Sequence, residues 1–136
     1  MNLNTTAASA TNAQPAPKCI LVVEGEHLIR IMASEALRDG GYNVLEAASA
    51  DETLLLLGPV SPDLLVSDVR MPGSMDGLAM LATLRKSYPT LPVIITSGHR
   101  GASNVPPDDY TYFSPKPVAF DELIELVQNT IGAPRC

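Results

Sequence analysis

The sequence predicts a doubly wound α/β fold, in which helices cover both faces of a five-stranded parallel sheet. Short apolar runs, typical of strands buried on both faces, alternate along the chain with amphipathic stretches of helical period. Such alternation requires right-handed crossovers, which place the carboxyl ends of the strands at one edge of the sheet. Polar residues follow several predicted strands, so a ligand site is expected at that edge.

The composition indicates one domain that works with other proteins. The chain has 136 residues, 46% of them apolar, and a formal net charge of −6. An acidic chain of this size is poorly suited to contact nucleic-acid phosphates, so no nucleic-acid partner is expected. Residues 1–17 are uncharged and aperiodic, which predicts a disordered extension before a domain over 18–132 and a tail over 133–136.

The cysteines and the apolar segments indicate the compartment. Cys19 and Cys136 are too few for a disulfide framework or a metal site, as is usual in a reducing cytoplasm. No apolar segment reaches the length of a membrane span, and residues 1–17 lack the pattern of a signal peptide. A cytoplasmic protein without a membrane partner is therefore expected.

The strands and the first two helices follow from local patterns. Apolar residues recur at helical spacing over 28–37, and the pair Gly40-Gly41 is expected to end this first helix. Ser49 and Glu52 have capping-box spacing, which predicts a short second helix before residues 58–59. The predicted strands cover 19–23, 42–46, 64–68, 92–96 and 111–113.

The second half of the chain is less regular. Asp76 is expected to cap a third helix, and apolar periodicity predicts a last helix over 120–131. The segment 98–109 contains two glycines and the pair Pro106-Pro107, so a fourth helix there is expected to be short or irregular.

The polar residues at the strand ends suit phosphoryl chemistry. Glu24 and Glu26 follow the first strand, Asp68 ends the third, Ser97 follows the fourth and Lys116 follows the fifth. A carboxylate can attack phosphorus and form an acyl phosphate, while a divalent cation with hard oxygen ligands offsets charge repulsion. An ammonium and a hydroxyl can hold the phosphoryl oxygens.

Five motifs carry a family resemblance. They are Ile-Leu-Val-Val with acidic residues at 20–26, Pro-Asp-Leu-Leu-Val-Ser-Asp at 62–68, Met-Pro-Gly-Ser-Met-Asp-Gly at 71–77, Pro-Val-Ile-Ile-Thr-Ser-Gly at 92–98 and Pro-Lys-Pro at 115–117. Together they resemble the CheY-like receiver domains of two-component response regulators, over 18–131. The resemblance implies a flavodoxin-like, five-stranded receiver fold.

The resemblance also implies roles for individual residues. Asp68 matches the phosphoacceptor, Lys116 the phosphate-binding lysine, and Ser97 the hydroxyl that follows the phosphoryl group. Ser97 and Phe113 match the switch pair. Thr96 competes with Ser97 for the hydroxyl role, and the alternative for Phe113 is a plain core position.

The metal site implied by the resemblance is incomplete. Its ligands would be Glu24, Asp68 and the backbone carbonyl of Arg70, with Glu26 as a further candidate. Gly25 occupies the position of the family's second acidic residue and offers no side-chain oxygen. Binding of Mg²⁺ is therefore expected to be weakened.

The sequence leaves three candidate functions: a phosphorylated signalling domain, a binding module and an enzyme. The first is a single-domain response regulator, not an enzyme, which receives a phosphoryl group from a sensor histidine kinase or phosphotransfer protein. It would signal to a downstream protein as a monomer or weak homodimer. The alternative is a degenerate receiver that binds partners without phosphorylation, because of Gly25. A phosphatase with an aspartate nucleophile would need Asp-x-Asp where residues 24–26 read Glu-Gly-Glu.

Overall fold

One parallel sheet organises the chain. The computed structural model describes residues 17–71, 73, 75–98, 108–116 and 119–134. The strands are β1 (Cys19–Val23), β2 (Asn43–Ala47), β3 (Leu64–Asp68), β4 (Val93–Ser97) and β5 (Thr111–Pro115). The helices within the described residues are α1 (His27–Asp39), α2 (Ala50–Leu56), α3 (Gly77–Ser87) and α4 (Phe120–Ile131). The strand order β2-β1-β3-β4-β5, with every pair parallel, confirms the predicted sheet.

Two apolar layers cover the sheet because successive side chains of a strand point to opposite faces. In β1, Ile20 and Val22 pack in the layer that includes α1 and α4. Leu21 and Val23 pack in the other layer, with α2 and α3. The helices therefore lie on both faces, as the continuous apolar runs predicted.

The predicted end of α1 and the predicted cap of α2 are confirmed. Gly41 adopts a φ of 102°, which glycine tolerates best, and the Tyr42 amide donates to the Leu37 carbonyl at 3.2 Å. Ser49 Oγ accepts from the Glu52 amide at 3.1 Å, and Glu52 Oε1 accepts from the Ala48 amide at 2.8 Å.

The third helix begins at the predicted cap and buries one apolar side. Asp76 Oδ1 accepts from the Ala79 amide at 2.8 Å. The fully buried apolar side chains of α3 are Met80, Leu81 and Leu84, which lie on one side of the helix and pack in the same layer as α2.

The buried face of α1 differs from the predicted periodicity. Ala33, Ser34 and Leu37 are buried, whereas Leu28 is 68% exposed and Met32 is 47% exposed. The apolar pattern marked a helix correctly, but the side that packs on the sheet combines Leu37 with the small residues Ala33 and Ser34, and tertiary packing selects that side.

The two ends of the domain meet at the amino edge of the sheet. The Lys18 amide donates to the Pro134 carbonyl at 2.8 Å, and the Tyr42 hydroxyl donates to the Gly132 carbonyl at 2.8 Å. Pro134 lies in the predicted tail, so the hydrogen-bonded part of the chain extends into that segment.

Several expectations fall outside the described residues. Residues 99–107 include most of the segment expected to hold a short or irregular fourth helix, which stays a prediction. The same holds for the disordered extension, of which 1–16 are not described, and for residues 135–136. No helix in the described part of the chain is both long and apolar enough to cross a membrane.

Gly77 brings α3 into direct contact with the end of β3. Its amide donates to the Val69 carbonyl at 2.7 Å. A Cβ built on Gly77 would lie 2.1 Å from the Asp68 carbonyl oxygen, far inside normal contact. Only glycine at this position lets the helix begin so close to Asp68.

Replacing Gly77 by alanine should therefore destabilise the domain. We expect Gly77→Ala to lower the free energy of unfolding by about 2 kcal/mol, since backbone atoms must shift to relieve the overlap. Gly98→Ala is the matched control, because a Cβ on Gly98 meets no atom within 4 Å. Urea unfolding of both variants measures the difference, and equal losses would contradict the close contact.

Candidate functional site

Asp68 lies at the carboxyl end of β3, the central strand, and is 7% exposed. Its two carboxylate oxygens each accept a hydrogen bond. The Arg70 amide donates to Oδ1 at 3.2 Å, and the Lys116 ammonium donates to Oδ2 at 2.9 Å. The carboxylate is thus held at the predicted edge of the sheet in a defined direction.

Lys116 bridges two buried carboxylates. Its amide donates to the Ser97 carbonyl at 2.7 Å, which fixes the segment after β5 against β4. Its Nζ lies 2.9 Å from Asp68 Oδ2 and 3.6 Å from Glu24 Oε1. Burial by itself lowers the pKa of Lys116, but the hydrogen bond and charge of Asp68, with the charge of Glu24, outweigh it and raise the pKa. The ammonium therefore stays charged at neutral pH.

Glu24 is the second carboxylate of the site and is 5% exposed. Its Oε1 faces Lys116, and its Oε2 accepts from the Glu26 amide at 3.1 Å. Burial, the largest effect, raises the pKa of Glu24, and the charge of Asp68 adds to this rise. The hydrogen bond from Glu26 and the charge of Lys116 oppose it without cancelling it.

The two candidate hydroxyls on β4 have different surroundings. Thr96 Oγ1 donates to the buried Ser67 carbonyl at 3.4 Å, inside the sheet. Ser97 is buried at the end of the strand, where its carbonyl binds the Lys116 amide. The contact made by Thr96 favours Ser97 as the hydroxyl for a ligand.

Phe113 lies on the edge strand β5 and is partly buried. It pairs with Ile95, two residues before Ser97, so Phe113 and Ser97 point to the same face of the sheet. The placement is compatible with the predicted switch pair, and the role itself stays a prediction.

The acidic groups of the site have the chemistry of a weak Mg²⁺ site. Glu24 and Asp68 offer hard carboxylate oxygens, and one oxygen of each faces the ammonium of Lys116. Mg²⁺ uses few protein carboxylates and keeps several waters. No group of three acidic, histidine or cysteine residues within the described residues is arranged to hold a metal. The side chain of Glu26 is exposed, and Gly25 contributes none. The donor set therefore fits the ion with one protein ligand fewer than the family pattern.

Comparison with known proteins identifies the family. The model of the response regulator receiver domain matches residues 20–128. The chain belongs to this family. Receiver domains of two-component systems interact with histidine kinases or phosphotransfer proteins and generally bind Mg²⁺ at their acidic pocket. The predicted family and receiver fold are thus confirmed.

Curated relatives and a solved structure are similar to this receiver over most of its length. The DNA-binding transcriptional regulator NtrC of Salmonella typhimurium is 36% identical over 117 residues, which are 83% of this chain and 24% of that protein. The sensor kinase CckA of Brucella abortus is 38% identical over 82% of this chain and 12% of the kinase. The crystal structure of the NtrX receiver domain from Brucella abortus has a TM-score of 0.75 and 34% identity, covering 82% of this chain and 97% of that one.

The structure brings together most of the residues proposed from the sequence. Lys116 contacts both Asp68 and Glu24, and the Ser97 carbonyl joins them by binding the Lys116 amide. Sequence reasoning missed Arg30, whose guanidinium binds the Glu24 carbonyl at 2.8 Å. An arginine one turn into a helix is solvated by default, and no signal in the sequence distinguishes this one.

The raised pKa of Glu24 predicts a pH-dependent stability. Because the folded state binds the proton more tightly than the unfolded state, stability is lost as pH rises from the ordinary value of 4.5 through the raised folded value. Glu24→Gln should remove this loss, so the difference in free energy of unfolding between variant and wild type should move in favour of the variant as pH rises above 4.5.

Urea unfolding at a series of pH values from pH 4 upward measures that difference. Glu35→Gln is the control, since Glu35 is an exposed carboxylate on α1. A difference between Glu24→Gln and wild type that does not change with pH would contradict the burial of a charged Glu24.

Proposed function

We propose that Asp68 accepts a phosphoryl group from a sensor histidine kinase or a phosphotransfer protein, and that the chain then signals by protein–protein contact. The observation that carries this proposal is the 2.9 Å pair between Lys116 Nζ and Asp68 Oδ2 at the end of the central strand. It joins a carboxylate nucleophile to a cation that can bind the transferred group.

The proposed transfer is a displacement at phosphorus. An oxygen of Asp68 forms a bond to phosphorus while the bond from phosphorus to the donor nitrogen breaks, and the donor histidine keeps that electron pair. Lys116, already beside Asp68, pairs with a phosphoryl oxygen as negative charge accumulates. The Ser97 hydroxyl is the proposed second donor to the phosphoryl group.

Mg²⁺ would be held by Glu24, Asp68 and the carbonyl of Arg70, and when bound it would offset the negative charge of the incoming group. Glu26 remains a further candidate ligand. Gly25 adds no side-chain oxygen to this set of ligands. We therefore propose that the ion binds less tightly than in receivers with two adjacent acidic residues.

The proposed output depends on the end of β4 and on β5. Phosphorylation would shift an existing equilibrium at Ser97 and Phe113 toward a state that binds a partner. The common face of these two side chains supports the pairing. The change would be a rearrangement of a few side chains and not of the sheet.

The partners of the whole protein are also proposals, because the chain spans about a quarter of the length of NtrC. We propose that a downstream protein reads the phosphorylated state and that this chain does not turn over a substrate. The net charge of −6 supports protein partners over nucleic acid and is consistent with a cytoplasmic monomer or weak homodimer.

Gly25 favours a second candidate function. Without the second acid, the domain could serve as a receiver-like binding module that docks a kinase or another regulator in its unphosphorylated state. The ammonium of Lys116 already bridges Glu24 and Asp68, and this pairing holds the site in one arrangement without a metal.

Phosphorylation from acetyl phosphate separates the two functions. With Mg²⁺ present, we expect the wild-type chain to give a shifted band on a Phos-tag gel and Asp68→Asn to give none. Asp76→Asn is the matched control, because this exposed aspartate only caps α3, and it should keep the shift. The absence of a shift in both the wild type and Gly25→Asp would favour the binding module over the switch.

Restoring the acidic side chain should strengthen metal binding. We expect Gly25→Asp to tighten the Mg²⁺ dissociation constant roughly 30-fold, which corresponds to about 2 kcal/mol of added charge interaction. Amide NMR shifts during Mg²⁺ titration measure both constants, and equal values would mean that Glu24 and Glu26 suffice.

A further inference from the structure

Arg30 on α1 connects Glu24, the residue that follows β1, to the edge strand β2. Its Nη1 donates to the Glu24 carbonyl at 2.8 Å, and its Nε lies 3.4 Å from Glu46 Oε1 on β2. Its Nη2 lies 3.0 Å from His27 Nδ1. The Arg30 side chain is 15% exposed. Its bond to the Glu24 carbonyl is part-buried and is therefore less weakened by water than the exposed contact with His27.

The bond to the Glu24 carbonyl completes the fixation of the backbone of this residue. The Glu24 amide donates to the Ala47 carbonyl at 3.0 Å, which continues the pairing of β1 with β2. On the other side of the residue, the carbonyl is held by Arg30. With its amide and carbonyl both bound, the Cα–Cβ direction of Glu24 is set, and its carboxylate points to Lys116.

Gly25 makes this fixation necessary. Glycine has the widest range of backbone conformations, so the chain immediately after Glu24 does little to orient it. A carboxylate at position 25 could be ordered by a bound cation, but glycine has no side chain for a cation to hold. The guanidinium of Arg30 supplies the missing restraint from the helix side.

Glu46 in turn fixes the guanidinium of Arg30, and its second partner, Arg38, provides a matched control. Its other oxygen, Oε2, lies 3.2 Å from Arg38 Nη2, and that Nη2 donates to the Val44 carbonyl at 3.0 Å. Arg38 therefore shares Glu46 with Arg30 and binds a backbone carbonyl of the same strand. None of these Arg38 contacts involves the Glu24 peptide, which distinguishes the two arginines.

We propose that Arg30 is a positioning residue for the acceptor site: it holds the Glu24 peptide so that the Glu24 carboxylate faces Lys116 and Asp68. Its consequence for Mg²⁺ rests on the function proposed above, whereas the positioning itself is a property of the metal-free chain. The structural part can thus be tested independently of phosphorylation.

The first test uses amide hydrogen exchange without metal. The reporter is the Glu26 amide, which donates to Glu24 Oε2 and is protected only while that carboxylate is in place. Arg30→Met keeps the aliphatic stem and removes the guanidinium. We expect its Glu26 amide to exchange about tenfold faster than in the wild type, the change that corresponds to losing one charge-assisted hydrogen bond.

The control variants decide between positioning and general stability. Arg38→Met should leave Glu26 exchange within about twofold of the wild type, since it loses contacts only to Glu46, Glu35 and Val44. Arg30→Lys should recover part of the protection, because an ammonium can reach one partner at a time but cannot bridge two. Unfolding in urea corrects each rate for global stability.

Mg²⁺ titration of the same variants separates this proposal from the proposed function. If the ion binds the wild type, Arg30→Met should raise its dissociation constant several-fold while Arg38→Met should not. If the wild type binds no Mg²⁺, the metal part of the proposed function fails, and the exchange rates alone decide the role of Arg30. Two results would overturn the positioning role of Arg30. One is an equal exchange rate of the Glu26 amide in the wild type and in Arg30→Met. The other is an equal acceleration of that rate in Arg30→Met and Arg38→Met.

Discussion

The ammonium of Lys116 between two buried carboxylates is the interaction on which the site depends. Glu24 and Asp68 end neighbouring parallel strands, and both are almost completely removed from solvent. Two like charges so close together would repel each other and resist burial. Lys116 offsets that cost from the end of β5, since it lies within ion-pair distance of both.

The fold supports this ion triad from three directions. The parallel sheet brings the carboxyl ends of β1 and β3 to one edge. It also brings the segment after β5 to that edge, because β4 lies between β3 and β5. Gly77 allows α3 to begin against the backbone of Asp68, and Arg30 holds the backbone of Glu24 from α1. The acidic groups are thus placed by main-chain contacts, and their directions do not depend on a bound ion.

Gly25 changes the balance of charge at this edge. The carboxylates of Glu24 and Asp68 with the ammonium of Lys116 leave one net negative charge. A further carboxylate in place of Gly25 would leave two. A less negative pocket attracts a cation less strongly and repels an incoming phosphoryl group less strongly. Both tendencies favour a site in which Lys116 contributes more of the compensating charge than in receivers with the full acidic pair.

The sequence by itself determined the class of fold, the order of its elements and the edge of the sheet at which the polar residues of the site meet. Continuous apolar runs, the capping box at Ser49 and the ordered motifs around Asp68 and Lys116 are local signals, so they can be recognised in a single chain. The capped starts of α2 and α3 agree with the prediction, because a cap uses residues only three positions apart.

Only the tertiary structure decided which faces are buried and which side chains hold the site. The apolar residues Leu28 and Met32 face solvent, and Ser34 takes a buried position on α1 beside Leu37, because packing against the sheet decides which side of the helix is buried. The close contact of Gly77 and the bond from Arg30 to Glu24 likewise join segments that no local pattern connects. Packing between layers sets these contacts, and its geometry is not encoded in any one stretch of the chain.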